Sequence, residues 1–202
     1  AAAHFDPDFI AFDQYKRRYP AIRAESIKRA SGLMNALAQR LDRLSRKHPK
    51  KIDLSLGRMK RVLQALGHPE RRLPPTIHVA GTNGKGSSCA YMRAMLEAQG
   101  LCVHVYSSPH LVDFRERIRL RGRLIDEAAL CDVLDRVDAA SAKAPLTFFE
   151  ATTAAALLSF SETPADALIL EVGLGGRLDA TNVIDTPIAS LITPVSQDHK
   201  EF

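Results

Sequence analysis

At 202 residues, with 46% hydrophobic and 25% charged content, the chain has the make-up of a soluble globular domain with enough material for a sizeable core. Its longest weakly polar run, residues 151–160, is far short of the roughly 20 residues that cross a bilayer, and no basic-then-apolar leader opens the chain; no membrane partner and a cytoplasmic location are expected. Cys89, Cys102 and Cys131 are odd in number and widely spaced, which speaks against a disulfide framework or a zinc site and for small core residues, while the net charge of +5 is concentrated in residues 40–51, where six basic residues face one acid.

Residues 1–46 are expected to form a helical amino-terminal extension. Phe9, Ile10, Phe12 and Tyr15 mark a first amphipathic segment, Leu33, Leu37, Leu41 and Leu44 a second, and Tyr19 and Pro20 a break between them. A helix over 56–66 closes at Gly67, ahead of the loop HPERRLPP. Then come a strand, TIHVA (76–80), a glycine-rich loop, a helix over 87–99 with apolar Tyr91, Met95, Leu96 and Ala98, and a stop at Gly100. A strand starts at Leu101, residues 117–125 alternate like a strand pair turning at Gly122, and helices follow near 126–140 and 149–161. The last strands are 167–172, a continuous apolar run of the kind buried on both faces, and 187–195. This alternation predicts an α/β fold over residues 47–202: a mainly parallel, doubly wound sheet flanked by helices, with ligands at the carboxyl ends of the strands.

The loop after the first strand, HVAGTNGKGSS, crowds Gly81, Gly84 and Gly86 between a strand and a helix N-terminus. Unpaired N–H groups and the positive end of a helix dipole favour an anion there, and glycine lets the backbone approach it. Lys85 adds a mobile charge, and Ser87 a hydroxyl able to reach a metal ion. The stretch is therefore a phosphate-binding loop, although Val79 stands where the usual first glycine belongs and Gly86 separates Lys85 from Ser87. A tight strand-to-helix turn with a surface lysine is the competing reading.

The fold demands other polar clusters after the other strands, and the sequence supplies them. SSPHL (107–111) follows the second strand, GLGGRLDATN (173–182) follows 167–172, and SQDHKEF (196–202) follows the last; TFFEATT opens a helix with Glu150. Glu150, Ser87, Ser108, Asp198 and His199 are candidate partners for a hard cation that also holds phosphates. Glu150 also suits a helix N-terminal charge. GLGGR lacks the last glycine of a dinucleotide fingerprint, since Leu178 occupies that position.

In this order, HVAGTNGKGSS, VYSSPHLVDFRERIRL, TFFEATTAAA, EVGLGGRLDATN and ITPVSQDHKEF closely resemble the folylpolyglutamate synthase and dihydrofolate synthase family, within the Mur ligase superfamily. The resemblance covers roughly residues 47–202 and includes KIDLSLGRMKRVLQALGHP (51–69). It implies an ATP- and Mg2+-dependent ligase that makes an amide bond between L-glutamate and dihydropteroate or a folate through an acyl phosphate. It also implies small-molecule partners and a monomeric protein that does not bind nucleic acid. Carried over by residue, Gly81, Thr82, Asn83, Gly84, Lys85, Gly86, Ser87 and Ser88 hold the nucleotide, and Lys85 contacts its β- and γ-phosphates. Ser87 with Glu150 holds a first magnesium ion; Ser108, Glu150 and His199 hold a second. Lys85, Glu150 and His199 are then the catalytic set, and His110 and Arg115 lie near the pterin or its carboxylate. Family members are about twice this length, so the chain is expected to be most of an amino-terminal ATPase domain without its carboxy-terminal partner, binding nucleotide and turning over little alone. A cell-wall Mur ligase and a nucleic-acid-binding module built on the basic helices 31–51 are the alternatives.

Overall fold

The structure, a computed structural model, describes residues 36–46, 55–141 and 145–196. The amphipathic segment at residues 9–15, the break at Tyr19 and Pro20, and the candidate ligands Asp198 and His199 lie outside the described residues.

In chain order the elements are α1 (Ala36–Arg46), α2 (Gly57–Ala65), a 3-10 turn (Pro69–Arg72), β1 (Thr76–Ala80), α3 (Lys85–Ala98), β2 (Val103–Tyr106), a second 3-10 turn (Phe114–Arg117), β3 (Ile118–Leu120), β4 (Arg123–Leu124), α4 (Glu127–Ala140), α5 (Phe148–Glu162), β5 (Ala167–Glu171) and β6 (Ala189–Ile192). The sheet runs β4-β3-β2-β5-β1-β6. β2, β5, β1 and β6 pair in parallel, and β3 and β4 add an antiparallel hairpin at one edge. That hairpin turns on Arg121 and Gly122, both with φ above +50°. Two successive left-handed residues match the right-handed twist of the flanking strands.

β5 lies in the middle and is buried along its whole length, because side chains alternate between two covered faces. Leu168 and Leu170 join the larger core under α4 and α5, whereas Ile169 meets Val79, Val103, Val105 and Cys89 under α3. Each such aliphatic side chain contributes about 1.5–3 kcal/mol by leaving water. α5 is buried from Glu150 to Phe160, an interior helix apolar on nearly every side.

α3 forms as expected, but Cys89, Met92 and Leu96 face the sheet, leaving Tyr91 and Met95 68% and 62% exposed. α1 covers residues 36–46, and its Leu37 and Leu44 enter the main core. Arg40 donates two hydrogen bonds from Nε and one from Nη2 to Asp135 on α4, and Arg43 reaches Asp138 at 3.6 Å. With Arg46–Asp42, these pairs engage the described arginines of the basic stripe within the chain itself.

Because β1, β2, β5 and β6 are parallel, their carboxyl ends and the loops that follow them gather at one edge of the sheet. β1 sits between β5 and β6, with β2 beyond β5, so the glycine loop opens where neighbouring strands connect in opposite directions, the usual crevice of such sheets.

Candidate functional site

The glycine loop is shaped by what it lies against. Gly81 has φ +128°, and a Cβ there would overlap Thr193 Oγ1 and its carbonyl group just beyond β6. Only glycine permits that approach and that angle. Thr82 and Asn83 turn their backbone N–H groups onto the carbonyl of Pro194, at 3.1 and 3.3 Å, and Thr82 Oγ1 and Asn83 Nδ2 donate to Ser196. The segment after β6 is therefore the floor of the loop. Gly84, left-handed at φ +86°, caps α3, whose first-turn N–H groups have no partner within the helix and face the crevice mouth. Lys85 Nζ donates to the carbonyl of Gly81 at 2.8 Å and to that of Thr82 at 3.4 Å, so its ammonium folds back over the loop. Ser87 is exposed in the first turn of α3, and Ser88 is half-buried.

Among the described residues, the carboxylate beside this loop is that of Glu171. It ends β5, is only 4% exposed, and would lie 3.8 Å from a Cβ at Gly86. Its Oε2 accepts the backbone N–H of Ser108 at 3.2 Å. Burial pushes its carboxyl above the usual carboxylate range, while the Ser108 hydrogen bond and the Lys85 charge pull it back. A buried carboxylate that burial drives toward neutrality gains most from a cation.

Glu150, expected as a ligand of both ions, is already committed. Its Oε2 accepts the N–H of Thr147 at 2.7 Å while its own N–H donates to Thr147 Oγ1, a capping box that starts α5. Arg58 Nε donates to both of its oxygens, at 3.1 and 3.0 Å. The sequence reading missed Glu171 because it closes an apolar run. The signal was available, since an acidic residue at the carboxyl end of a strand buried on both faces is costly without a purpose.

Ser108 and His110 lie on the loop between β2 and the second 3-10 turn. His110 Nδ1 accepts from Arg117 Nε at 3.0 Å, and its ring meets Phe114 edge-on at 5.5 Å; Phe114 in turn meets Phe148 at 5.9 Å. Burial, then the Arg117 charge, lowers the imidazole to about 4, so it is neutral. Arg115 is held by Asp113, Nη2 to Oδ2 at 2.7 Å, which occupies the guanidinium locally. The loop after β5 has its own organiser: Asp179, buried, accepts from the N–H groups of Gly173, Leu174 and Thr181 and from the Thr181 hydroxyl. Thr181 Oγ1 also meets His78 Nε2 of β1 at 2.9 Å, and the Phe149 ring occupies the space a Cβ at Gly173 would need.

Magnesium takes one or two carboxylates with hydroxyls, water and phosphate oxygens. Glu171, the hydroxyls of Ser87 and Ser108, and a helix N-terminus suited to phosphates are a donor set that fits it. Among the described residues no group of three or more His, Cys, Asp and Glu could hold a metal unaided, so substrate oxygens would complete the shell.

No protein-family profile matches the chain. Curated proteins do: the dihydrofolate synthase/folylpolyglutamate synthase of Escherichia coli K12 is 42% identical over 176 residues, which are 87% of this chain and 41% of that protein. The Bacillus subtilis protein of the same name is 42% identical over 152 residues, 71% of this chain and 35% of its own. Among solved structures, E. coli FolC in complex with DHPP and ADP superposes with a TM-score of 0.76 at 42% identity, covering 82% of this chain and 40% of that one. The bifunctional enzyme of Yersinia pestis complexed with AMPPNP and Mn ion has the same TM-score, identity and coverage, and the Mycobacterium tuberculosis folylpolyglutamate synthase complexed with ADP gives 0.75 at 35% identity, covering 83% of this chain and 38% of its own. The chain thus spans about two fifths of the length of the relatives it matches. It belongs to the dihydrofolate synthase/folylpolyglutamate synthase family of the Mur ligase superfamily and corresponds to the amino-terminal part of its members.

Proposed function

We propose that the chain is the nucleotide-binding part of an ATP-dependent ligase that joins L-glutamate to dihydropteroate or a folate. The observation that carries this reading is the glycine loop and the first turn of α3 set against the buried Glu171 carboxylate. A substrate carboxylate oxygen attacks the γ-phosphorus, the bond to the β–γ bridging oxygen breaks, and ADP leaves with that electron pair. The glutamate amine then attacks the acyl carbon, phosphate departs with the carbon–oxygen pair, and the amine proton passes to solvent. Such phosphoryl transfer depends mainly on positioning and charge neutralisation.

The residues divide that work. Gly81, Thr82, Asn83, Gly84, Gly86 and Ser88 form the loop that receives the triphosphate, and Lys85 swings from the Gly81 carbonyl onto the β- and γ-phosphates. Glu171 and Ser87 hold magnesium with Ser108 nearby, and the ion when bound neutralises charge on the transferred group. His199 stays the proposed ligand of a second ion. Neutral His110 packs with Phe114 and Phe148 into an edge-on aromatic cluster, with the Arg117 guanidinium over the Phe114 ring, and this cluster with Arg115, tied to Asp113, is the proposed neighbour of the pterin. Arg58 and Glu150 fix the start of α5 and so the aromatic pair Phe148 and Phe149.

The test is isothermal titration of the chain with AMPPNP and magnesium, with and without dihydropteroate, beside Lys85→Ala. Saturable binding that requires magnesium and is lost in the variant supports the phosphate loop, and tightening by dihydropteroate supports that acceptor. Binding unchanged in Lys85→Ala, or tight binding of polynucleotide that falls steeply with salt and ignores ATP, would overturn the reading.

A further inference from the structure

The loop that joins β2 to the second 3-10 turn is anchored at His110, through Arg117 and Phe114, but its tip has little to hold it in place. Its tip residues Leu111 and Val112 are 62% and 57% exposed, so no apolar burial anchors them. Its backbone pairing is confined to its two ends, Ser107 N–H to the Arg117 carbonyl and Glu116 N–H to the Asp113 carbonyl. Yet the N–H groups of Leu111, Val112 and Asp113 converge on one carboxylate, that of Glu116. Leu111 donates to Oε2 at 2.7 Å, and Val112 and Asp113 donate to Oε1 at 3.1 and 2.9 Å. The main-chain carbonyl of the same residue accepts the Ser107 hydroxyl at 3.3 Å. Capping the 3-10 turn requires only the Asp113 bond, and the two bonds to Leu111 and Val112 are additional.

The other end of this loop reaches the candidate metal carboxylate, through the N–H of Ser108 on Glu171 Oε2. We infer that Glu116 is a positioning residue: by gathering three successive backbone N–H groups it fixes the loop tip and so holds the Ser108 N–H on Glu171. The inference rests on the proposed role of Glu171 only for its functional consequence; the positioning itself is a property of the loop. A carboxylate does this better than any neutral side chain because hydrogen bonds to a charged acceptor are roughly twice as strong as neutral ones. Partners that orient a metal ligand cost about 10–100-fold in metal affinity when removed.

The measurement is amide hydrogen exchange by NMR on the chain and on Glu116→Ala, Glu116→Gln and Val137→Ala, the last thinning the core at a residue remote in sequence from the loop. Exchange at Leu111, Val112 and Asp113 must rise in Glu116→Ala, since their acceptor is gone. The decisive amide is that of Ser108, which does not touch Glu116. It is expected to exchange about tenfold faster in Glu116→Ala, less so in Glu116→Gln, which keeps one acceptor oxygen, and no faster in Val137→Ala than global stability requires. Ser108 protection unchanged in Glu116→Ala would overturn the inference and reduce Glu116 to a helix cap. A magnesium titration with AMPPNP supplies the functional readout: about tenfold loss of the magnesium-dependent tightening is expected in Glu116→Ala and none in Val137→Ala. If Ser108 is loosened but that tightening stays intact, the positioning holds and the role given to Glu171 fails, so the two readings fail separately.

Discussion

Glu150 and Arg58 offer a sharp test of how this crevice is assigned. Their side chains are 7% and 12% exposed, and Arg58 Nε reaches both carboxylate oxygens. Breaking a buried pair from one side typically costs about 3–5 kcal/mol, because the remaining charge loses its compensation, whereas replacing both partners by apolar residues of similar volume is often near neutral. Glu150→Ala also removes half of the capping box, worth about 1 kcal/mol. For a domain of this size each kcal/mol moves Tm by roughly 2–4 °C, so Arg58→Ala is expected to lower Tm by roughly 6–20 °C and Glu150→Ala by roughly 8–24 °C. The double variant Arg58→Met/Glu150→Leu is expected to recover most of that loss. Thermal unfolding of the four proteins makes the comparison, and AMPPNP titration with magnesium at a temperature where all are folded gives the functional counterpart. The structural reading requires that Glu150→Ala keep its magnesium dependence. A variant with near wild-type Tm that no longer responds to magnesium would refute it and return Glu150 to the metal.

Two further outcomes follow from the same geometry. His78, His104 and His110 all titrate below the ordinary histidine value, burial being the largest cause in each. A depressed folded-state value means that their contribution is fully present above about pH 6.5 and is lost as pH falls toward about 4, the value for His110. Urea unfolding at pH 7 and pH 5 should show the fall, and His110→Gln should flatten it; an acid slope indifferent to that variant would contradict the assignment. Gly81→Ala should cost about 3 kcal/mol and abolish nucleotide binding, because the angle and the overlap with Thr193 both oppose it. Gly84→Ala, with positive φ but nothing within 4 Å of a new Cβ, should cost only about 1–2 kcal/mol; equal costs would show that the Thr193 contact is unimportant.

The sheet was legible because β-branched and aliphatic runs, glycine stops and helical periods alternate clearly along residues 56–196, with run length and flanking turn residues deciding where the period does not. Facing was harder. α3 carries two apolar stripes, Tyr91 with Met95 and Cys89 with Met92 and Leu96, and periodicity cannot say which one meets the sheet. The glycine loop could be read directly, since strand, glycines, lysine and helix are contiguous. For Glu171 the acid closing an apolar strand was a signal in itself, but its partner was not legible: the Ser108 N–H is distant by 63 residues, and the pairing of β2 with β5 that brings them together is a tertiary fact. The same holds for α1, whose basic face looked free until Asp135 and Asp138 of α4 were beside it.

The central claim is that the phosphate loop and Glu171 form one nucleotide–metal site. The most direct measurement is the affinity for AMPPNP with and without magnesium in the chain and in Glu171→Gln, a near-isosteric change. Magnesium should tighten binding in the chain and fail to do so in Glu171→Gln, with metal-free affinity little altered. A magnesium response of wild-type size in Glu171→Gln would contradict the account.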